Sequence, residues 1–307
     1  MQTTLATPVT FSGTGLHSGR PVRMTVNPAP AGHGIRFRRT DVTDGRDNIL
    51  PAHWREVEQT ALCTRLINAD GVTLSTIEHI MAALAGCGIH NALIDIDGAE
   101  VPILDGSSSK FVARLIEAGS REQDRPVHVL RVLKPVEVRN GDAWARLEPA
   151  DGFEIRFHID FTDAAIGTQD LSLNMANGSF VRELSDCRTF CRQADVDTMR
   201  ANGLALGGTL ENAVVVDGDA VLSPGGLRRA DEPVRHKMLD ALGDLYTAGA
   251  PILGRYVGHK AGHAMTNALL RALFEDDANW SLDVSDAQTA RHLPGVGVGA
   301  HDLPLSA

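Results

Sequence analysis

Pro28-Ala29, Gly34-Ile35-Arg36-Phe37 and Thr40-Asp41 stand in the first half of the chain. Pro149-Ala150, Gly152, Ile155-Arg156-Phe157 and Thr162-Asp163 follow in the same order in the second half. Repetition of this kind marks a duplicated unit. Alternating runs flank each copy, such as Val22-Arg23-Met24-Thr25-Val26 and Trp144-Ala145-Arg146-Leu147-Glu148. A period of two indicates strands with one buried face. Further along, His79-Ile80-Met81 precedes Gly86 and His236-Lys237-Met238 precedes Gly243, so H-x-M-x4-G occurs twice. A single match could be chance; several in the same order predict two related domains. The charged, proline-ending stretch Arg121–Pro126 has linker character, which gives domains of residues 1–124 and 125–307.

Each half reads as strands followed by a helix. That order favours an α+β fold of two similar domains, each a mainly antiparallel sheet layered with helices on one face. The clearest helices are predicted over Ser75–Cys87 and Glu232–Thr247. Ser75, with Glu78 three residues on, reads as a capping box, and the Gly86–Gly88 region as the stop.

A chain of 307 residues can form two domains and bury substantial cores without disulfides. Its net charge of −10 argues against a general nucleic-acid binder, which needs a basic footprint. A phosphate-bearing small molecule is still allowed, because a few local Lys and Arg suffice. Cys187 and Cys191 form a C-x3-C pair, but Cys63 and Cys87 supply no second pair of that kind. Free thiols in a reducing cytosol are therefore expected rather than a structural zinc site. Met-Gln-Thr-Thr-Leu-Ala-Thr at the start lacks the basic and apolar regions of a signal peptide. No stretch reaches the ~18–20 apolar residues that a span requires. The expectation is a soluble cytoplasmic protein that would collect any lipid substrate without a membrane anchor.

His236 and Asp240, four residues apart, share one helix face. An imidazole and a carboxylate so placed are either half of a zinc site or part of a charged surface with pairs such as Glu232 with His236. If the two His-bearing helices meet at the domain interface, His79, His236 and Asp240 supply the three protein ligands of a catalytic zinc. Glu78, beside a ligand, is then placed to take a proton from water, a role that competes with the capping box for one carboxylate. Gly258-His259-Lys260-Ala261-Gly262-His263 is either a loop beside a ligand or a polar surface turn. In the first case, protonated His263 can donate to a leaving amine. Asp244 either orients a histidine or is solvated.

Ser75-Thr76-Ile77-Glu78-His79-Ile80-Met81-Ala82-Ala83-Leu84 resembles the first metal motif of the UDP-3-O-acyl-N-acetylglucosamine deacetylases. Val234 to Leu245 resembles their second, and Gly258 to Asn267 their third. Gly13-Thr14-Gly15-Leu16-His17-Ser18-Gly19, Asp105-Gly106-Ser107-Ser108 and Gly203-Leu204-Ala205-Leu206-Gly207-Gly208 are similar too. The resemblance runs from about Thr4 to Leu273 in the family's order. It implies two α+β domains meeting at an active site, and one zinc per chain on His79, His236 and Asp240. It also implies the committed step of lipid A biosynthesis, removal of acetate from a UDP-linked, 3-O-acylated N-acetylglucosamine. By position, Glu78 is the general base, His263 the electropositive partner or acid, and Asp244 its orienting group. Thr189 stabilises the oxyanion. Lys237 contacts substrate near the metal, Lys260 answers the diphosphate, Phe161 lies against the uracil ring, and Phe190 is a further substrate contact. An apolar passage in the second domain holds the acyl chain, and the protein is a monomer that meets the membrane only transiently. Two positions depart from the pattern: Ala143 stands where some relatives have lysine, and Arg192 where a second aromatic is often found.

Overall fold

A computed structural model describes residues 1–60 and 62–304. The alternating segments form strands as their pattern requires. In Pro21–Pro28, Val22, Met24 and Val26 are buried while Arg23 is exposed. Five strands form the first large sheet in the order Val9–Thr14, Pro21–Pro28, Ala92–Ile96, Ile35–Arg39, Ile49–Pro51. The second repeats this order with Val136–Asn140, Ala143–Glu148, Ile252–His259, Phe153–Asp160 and Thr168–Asn174. In both sets of five, the strand that comes last in the chain enters the centre. It runs antiparallel to the second strand of the hairpin and parallel to the third strand. The repeated Ile-Arg-Phe therefore falls on equivalent strands, which accounts for its recurrence. Two more strands, His128–Val132 and Trp280–Val284, extend the second sheet only. The fold is α+β with mainly antiparallel pairing.

A helix precedes each central strand: Glu78–Gly86 in the first half and Glu232–Tyr246 in the second. These two helices pack directly on each other. Their glycines explain the H-x-M-x4-G repeat. At Gly243 a Cβ would collide with the Glu78 carbonyl, and at Gly86 with the Phe180 ring. Each glycine thus marks a helix surface where a neighbour approaches too closely for any side chain.

The first helix corrects one expectation. It begins at Glu78 rather than Ser75, and no side chain caps it. Ser75 instead bridges to Glu100 in strand fashion. Thr76 takes φ 61°, and the Glu78 carboxylate accepts the Thr64 N–H at 3.0 Å. The competition for that carboxylate is settled against the capping box. Glu232 is likewise not paired with His236. It is buried against the Arg188 guanidinium at 2.9 Å, and it also accepts the backbone N–H groups of Arg188 and Arg228.

Candidate metal centre and active site

His79 lies in the first turn of its helix and His236 and Asp240 one turn apart on the other, so the helix crossing brings all three together. Their candidate ligand atoms lie within 4.8 Å of one another, and all three residues are buried. Asp240 Oδ1 is 3.2 Å from His236 Nε2 and 3.6 Å from His79 Nε2. The imidazole planes meet at 84°, which keeps the rings from stacking on each other. His236 Nδ1 is engaged by the Cys187 carbonyl at 3.0 Å, fixing the tautomer that leaves Nε2 free. Burial lowers the His79 imidazole, which favours the neutral form that can serve as a ligand. Burial alone would raise the Asp240 carboxyl, but His236 and Lys237 hold it well below the usual carboxylate range.

Glu78 and His263 flank this set. His263 Nε2 stands 4.0 Å from Glu78 Oε1 and 3.9 Å from Asp240 Oδ2. Its Nδ1 is 2.9 Å from Asp244 Oδ2, so Asp244 orients the ring. Burial pushes the Glu78 carboxyl up to about 8, an effect that His263 opposes and Asp244 and Asp240 reinforce. For His263, burial acts downward, but Asp244, Glu78 and Asp240 outweigh it and bring the imidazole to about 9. The two shifted groups thus face each other beside the candidate ligand set.

A cavity of about 710 Å³ opens from these groups. Thr189, Phe161, Phe190 and Lys237 line it together with His236, Asp240 and His263. Phe161 and Phe190 meet edge to face at 5.5 Å, and the Lys237 ammonium lies 2.8 Å from Asp240 Oδ2. Arg192 also lines the cavity, its guanidinium folded onto Asp195 at 2.7 Å. Lys260 lies apart from the cavity lining. Its ammonium sits between Asp142 at 3.0 Å and Asp160 at 3.1 Å, beside the hairpin that carries Ala143. The four cysteines are free, and burial pushes the Cys63 thiol up to about 12.

The model of the UDP-3-O-acyl N-acetylglycosamine deacetylase family matches residues 2–275. The chain belongs to that family. A UDP-3-O-acyl-N-acetylglucosamine deacetylase of Phenylobacterium zucineum is 51% identical over 279 residues, covering 91% of this chain and 95% of its own. One from Shewanella oneidensis is 45% identical over 300 residues, covering 96% and 97%. Within this family member, three residues escaped assignment from sequence. Thr64 donates its backbone N–H to Glu78 and its hydroxyl to Asp244, tying together the carboxylates that face His263. His17 lines the cavity, and buried Glu100 holds its turn. Thr64 carries no local sequence signal. The Gly13–Gly19 stretch was noted only for its similarity to the family, which gave no role to the histidine.

Proposed function

We propose that this chain hydrolyses the 2-acetamido group of UDP-3-O-acyl-N-acetylglucosamine with one zinc ion on His79, His236 and Asp240. The carrying observation is Asp240 Oδ1, which is buried and, among the described residues, lacks any hydrogen-bond partner while two imidazole nitrogens face it. The 3.2 and 3.6 Å spacings between this oxygen and the two imidazole nitrogens would suit ligands that share one zinc ion. When bound, a zinc dication polarises a carbonyl oxygen, acidifies water and favours the carboxylate form of Glu78.

The chain's own residues do the rest. Glu78 takes the proton from the attacking water, and its burial keeps it basic enough to do so near neutral pH. His263, held by Asp244 and protonated, passes a proton from Nε2 to the departing amine. The Thr189 hydroxyl donates to the developing oxyanion, a contact whose loss typically costs ~10²–10³ in rate. Lys237, Phe161 and Phe190 bind substrate along the cavity wall. Lys260 is the diphosphate contact, exchanging Asp142 and Asp160 for phosphate. The cavity beyond Phe190, with Val196, Met199 and Val215, takes the acyl chain.

On this reading the reaction belongs to lipid A biosynthesis, and the chain is a cytoplasmic monomer of two domains, 1–124 and 125–307, divided at the charged stretch Arg121–Pro126. Strand distribution supports the division: the first large sheet draws no strand beyond Ile96 and the second none before His128. Among the described residues no helix is long and apolar enough to cross a membrane. The rival reading is a zinc amidase of the same fold acting on another acylated amine. Deacetylation rates on UDP-N-acetylglucosamine with and without the 3-O-acyl chain separate the two. Strong dependence on both the nucleotide and the acyl chain is expected; equal rates on a simple acylated amine would contradict the proposal.

A further inference from the structure

One peptide group, that joining Cys187 to Arg188, is held at both ends by side chains of the helix Glu232–Tyr246. Its carbonyl accepts a hydrogen bond from His236 Nδ1 at 3.0 Å, and its N–H donates to Glu232 Oε1 at 2.9 Å. Glu232 and His236 stand one turn apart, so both anchors belong to one face of that helix. A peptide group is planar and stiff, and fixing its two polar ends fixes the path of the chain that leaves it. The next residue is Thr189, which lines the cavity together with His236, Asp240 and His263.

The Glu232 anchor depends on the charge that Arg188 supplies. Arg188 is 5% exposed and Glu232 0%, and a carboxylate so deeply buried is costly to keep ionised without a partner. The guanidinium bonds to Glu232 through Nε at 2.9 Å and Nη2 at 3.2 Å, and Nη2 also reaches the Gly226 carbonyl at 2.6 Å. A buried ion pair is a poor source of net stability, because desolvating two charges offsets much of their attraction. What this pair supplies is geometry. On the far side, Thr189 N–H donates to the Gly106 carbonyl at 2.8 Å, and the Thr189 carbonyl accepts Val214 N–H at 2.7 Å. Gly106 has a φ of 83°, and a Cβ there would lie 2.0 Å from the Asn212 carbonyl oxygen. Thr189 is pinned before and after, and among the described residues nothing bonds to its hydroxyl.

We infer that Arg188 and Glu232 are positioning residues whose ion pair locks Cys187–Thr189 to the helix of His236, holding the Thr189 hydroxyl and the His236 imidazole in one fixed relation. This rests on the activity proposed above. A donor aimed at a developing oxyanion works only where its place is set beforehand, and an error of ~1 Å can cost ~10² in rate. Neither Arg188 nor Glu232 lines the cavity. Their effect therefore passes through Thr189 and His236, and it cannot exceed what losing those contacts costs.

The test combines R188K and E232Q with T189V in the zinc-loaded enzyme. R188K keeps the charge but loses the planar fork. E232Q keeps the shape and one acceptor oxygen, and it serves if R188K folds badly. Each is expected to lower kcat per bound zinc roughly ten- to a hundredfold, with KM within about twofold of the parent. T189V should lose ~10²–10³ in kcat. Adding R188K or E232Q to T189V should cost less than about threefold more, since the positioned hydroxyl is already gone. Competition with a chelator should show zinc held about tenfold more weakly by R188K and E232Q, because His236 loses its fixed carbonyl. A pair serving stability alone would lower the denaturant midpoint and leave zinc affinity and kcat per bound zinc at parent values. Parent values of either quantity in both variants, or losses that multiply with T189V, would overturn the inference. Parent-level turnover in T189V would instead overturn the oxyanion assignment, and an inactive parent enzyme the activity reading.

Discussion

Replacing Gly243 by alanine tests what holds the proposed metal ligands together. A Cβ at this position would lie 2.0 Å from the Glu78 carbonyl oxygen, 2.9 Å from its carbon and 3.1 Å from the Ala82 nitrogen. All three are backbone atoms of the partner helix, so no side chain can swing aside. Ordinary contact begins at 3.4 Å, and the helices must therefore part by about 1.4 Å along that direction. His79 rides on one helix and His236 and Asp240 on the other, while metal sites tolerate only ~0.2 Å of error in ligand distance. Overpacking of this kind costs typically ~1–3 kcal/mol in stability. Zinc affinity is expected to fall by roughly 100-fold or more, beyond the effect of losing one supporting contact around a ligand. Competition with a chromophoric chelator reads the affinity, and denaturant unfolding of the metal-free protein reads the stability. A G243A protein that binds zinc like the parent and unfolds at the same denaturant concentration would refute the role of the crossing.

Three other outcomes follow from the same geometry. Asp244→Asn removes the carboxylate facing His263 Nδ1, a charge that raises the imidazole, so the alkaline limb of kcat/KM should move to lower pH; a limb at the parent pH would contradict the pairing. Glu232→Ala strands the buried Arg188 guanidinium and removes the acceptor of two backbone N–H groups, with an expected loss of ~3–5 kcal/mol by denaturant titration. A change below ~1 kcal/mol would show that Arg188 is satisfied elsewhere. His90 is lowered by burial to about 4, and its Nδ1 accepts the Thr3 N–H at 3.1 Å. Its folded value lies below the unfolded ~6.5, so its contribution is present above pH 6.5 and lost as pH falls through 4. His90→Gln should flatten part of that slope in unfolding measurements; an unchanged slope would assign it to other groups.

Duplication made much of the fold legible. Ile35-Arg36-Phe37 and Ile155-Arg156-Phe157 occupy equivalent strands, and both histidine helices lie close to their expected ranges. The H-x-M-x4-G spacing was visible, but its cause was not, because Gly86 and Gly243 answer to neighbours distant in sequence. Non-local contacts also defeated the capping box: Thr64 takes the Glu78 carboxylate, and the strand bridge to Glu100 claims Ser75. The structure brings together the proposed ligands, Glu78, His263, Asp244, Thr189, Lys237, Phe161 and Phe190 around one cavity or its rim. Lys260 stands outside it on two carboxylates, a placement set by the Asp142 hairpin that spacing alone does not reveal. The partner of Glu232 was equally hidden, since Arg188 arrives from a separate segment.

The central claim is that His79, His236 and Asp240 form a zinc centre that this reaction requires. The most direct test is release of acetate from UDP-3-O-acyl-N-acetylglucosamine after thorough chelation, and again after adding zinc back. Activity lost on chelation and restored by about one equivalent per chain is the predicted result. Full activity in protein shown to be free of metal would contradict it.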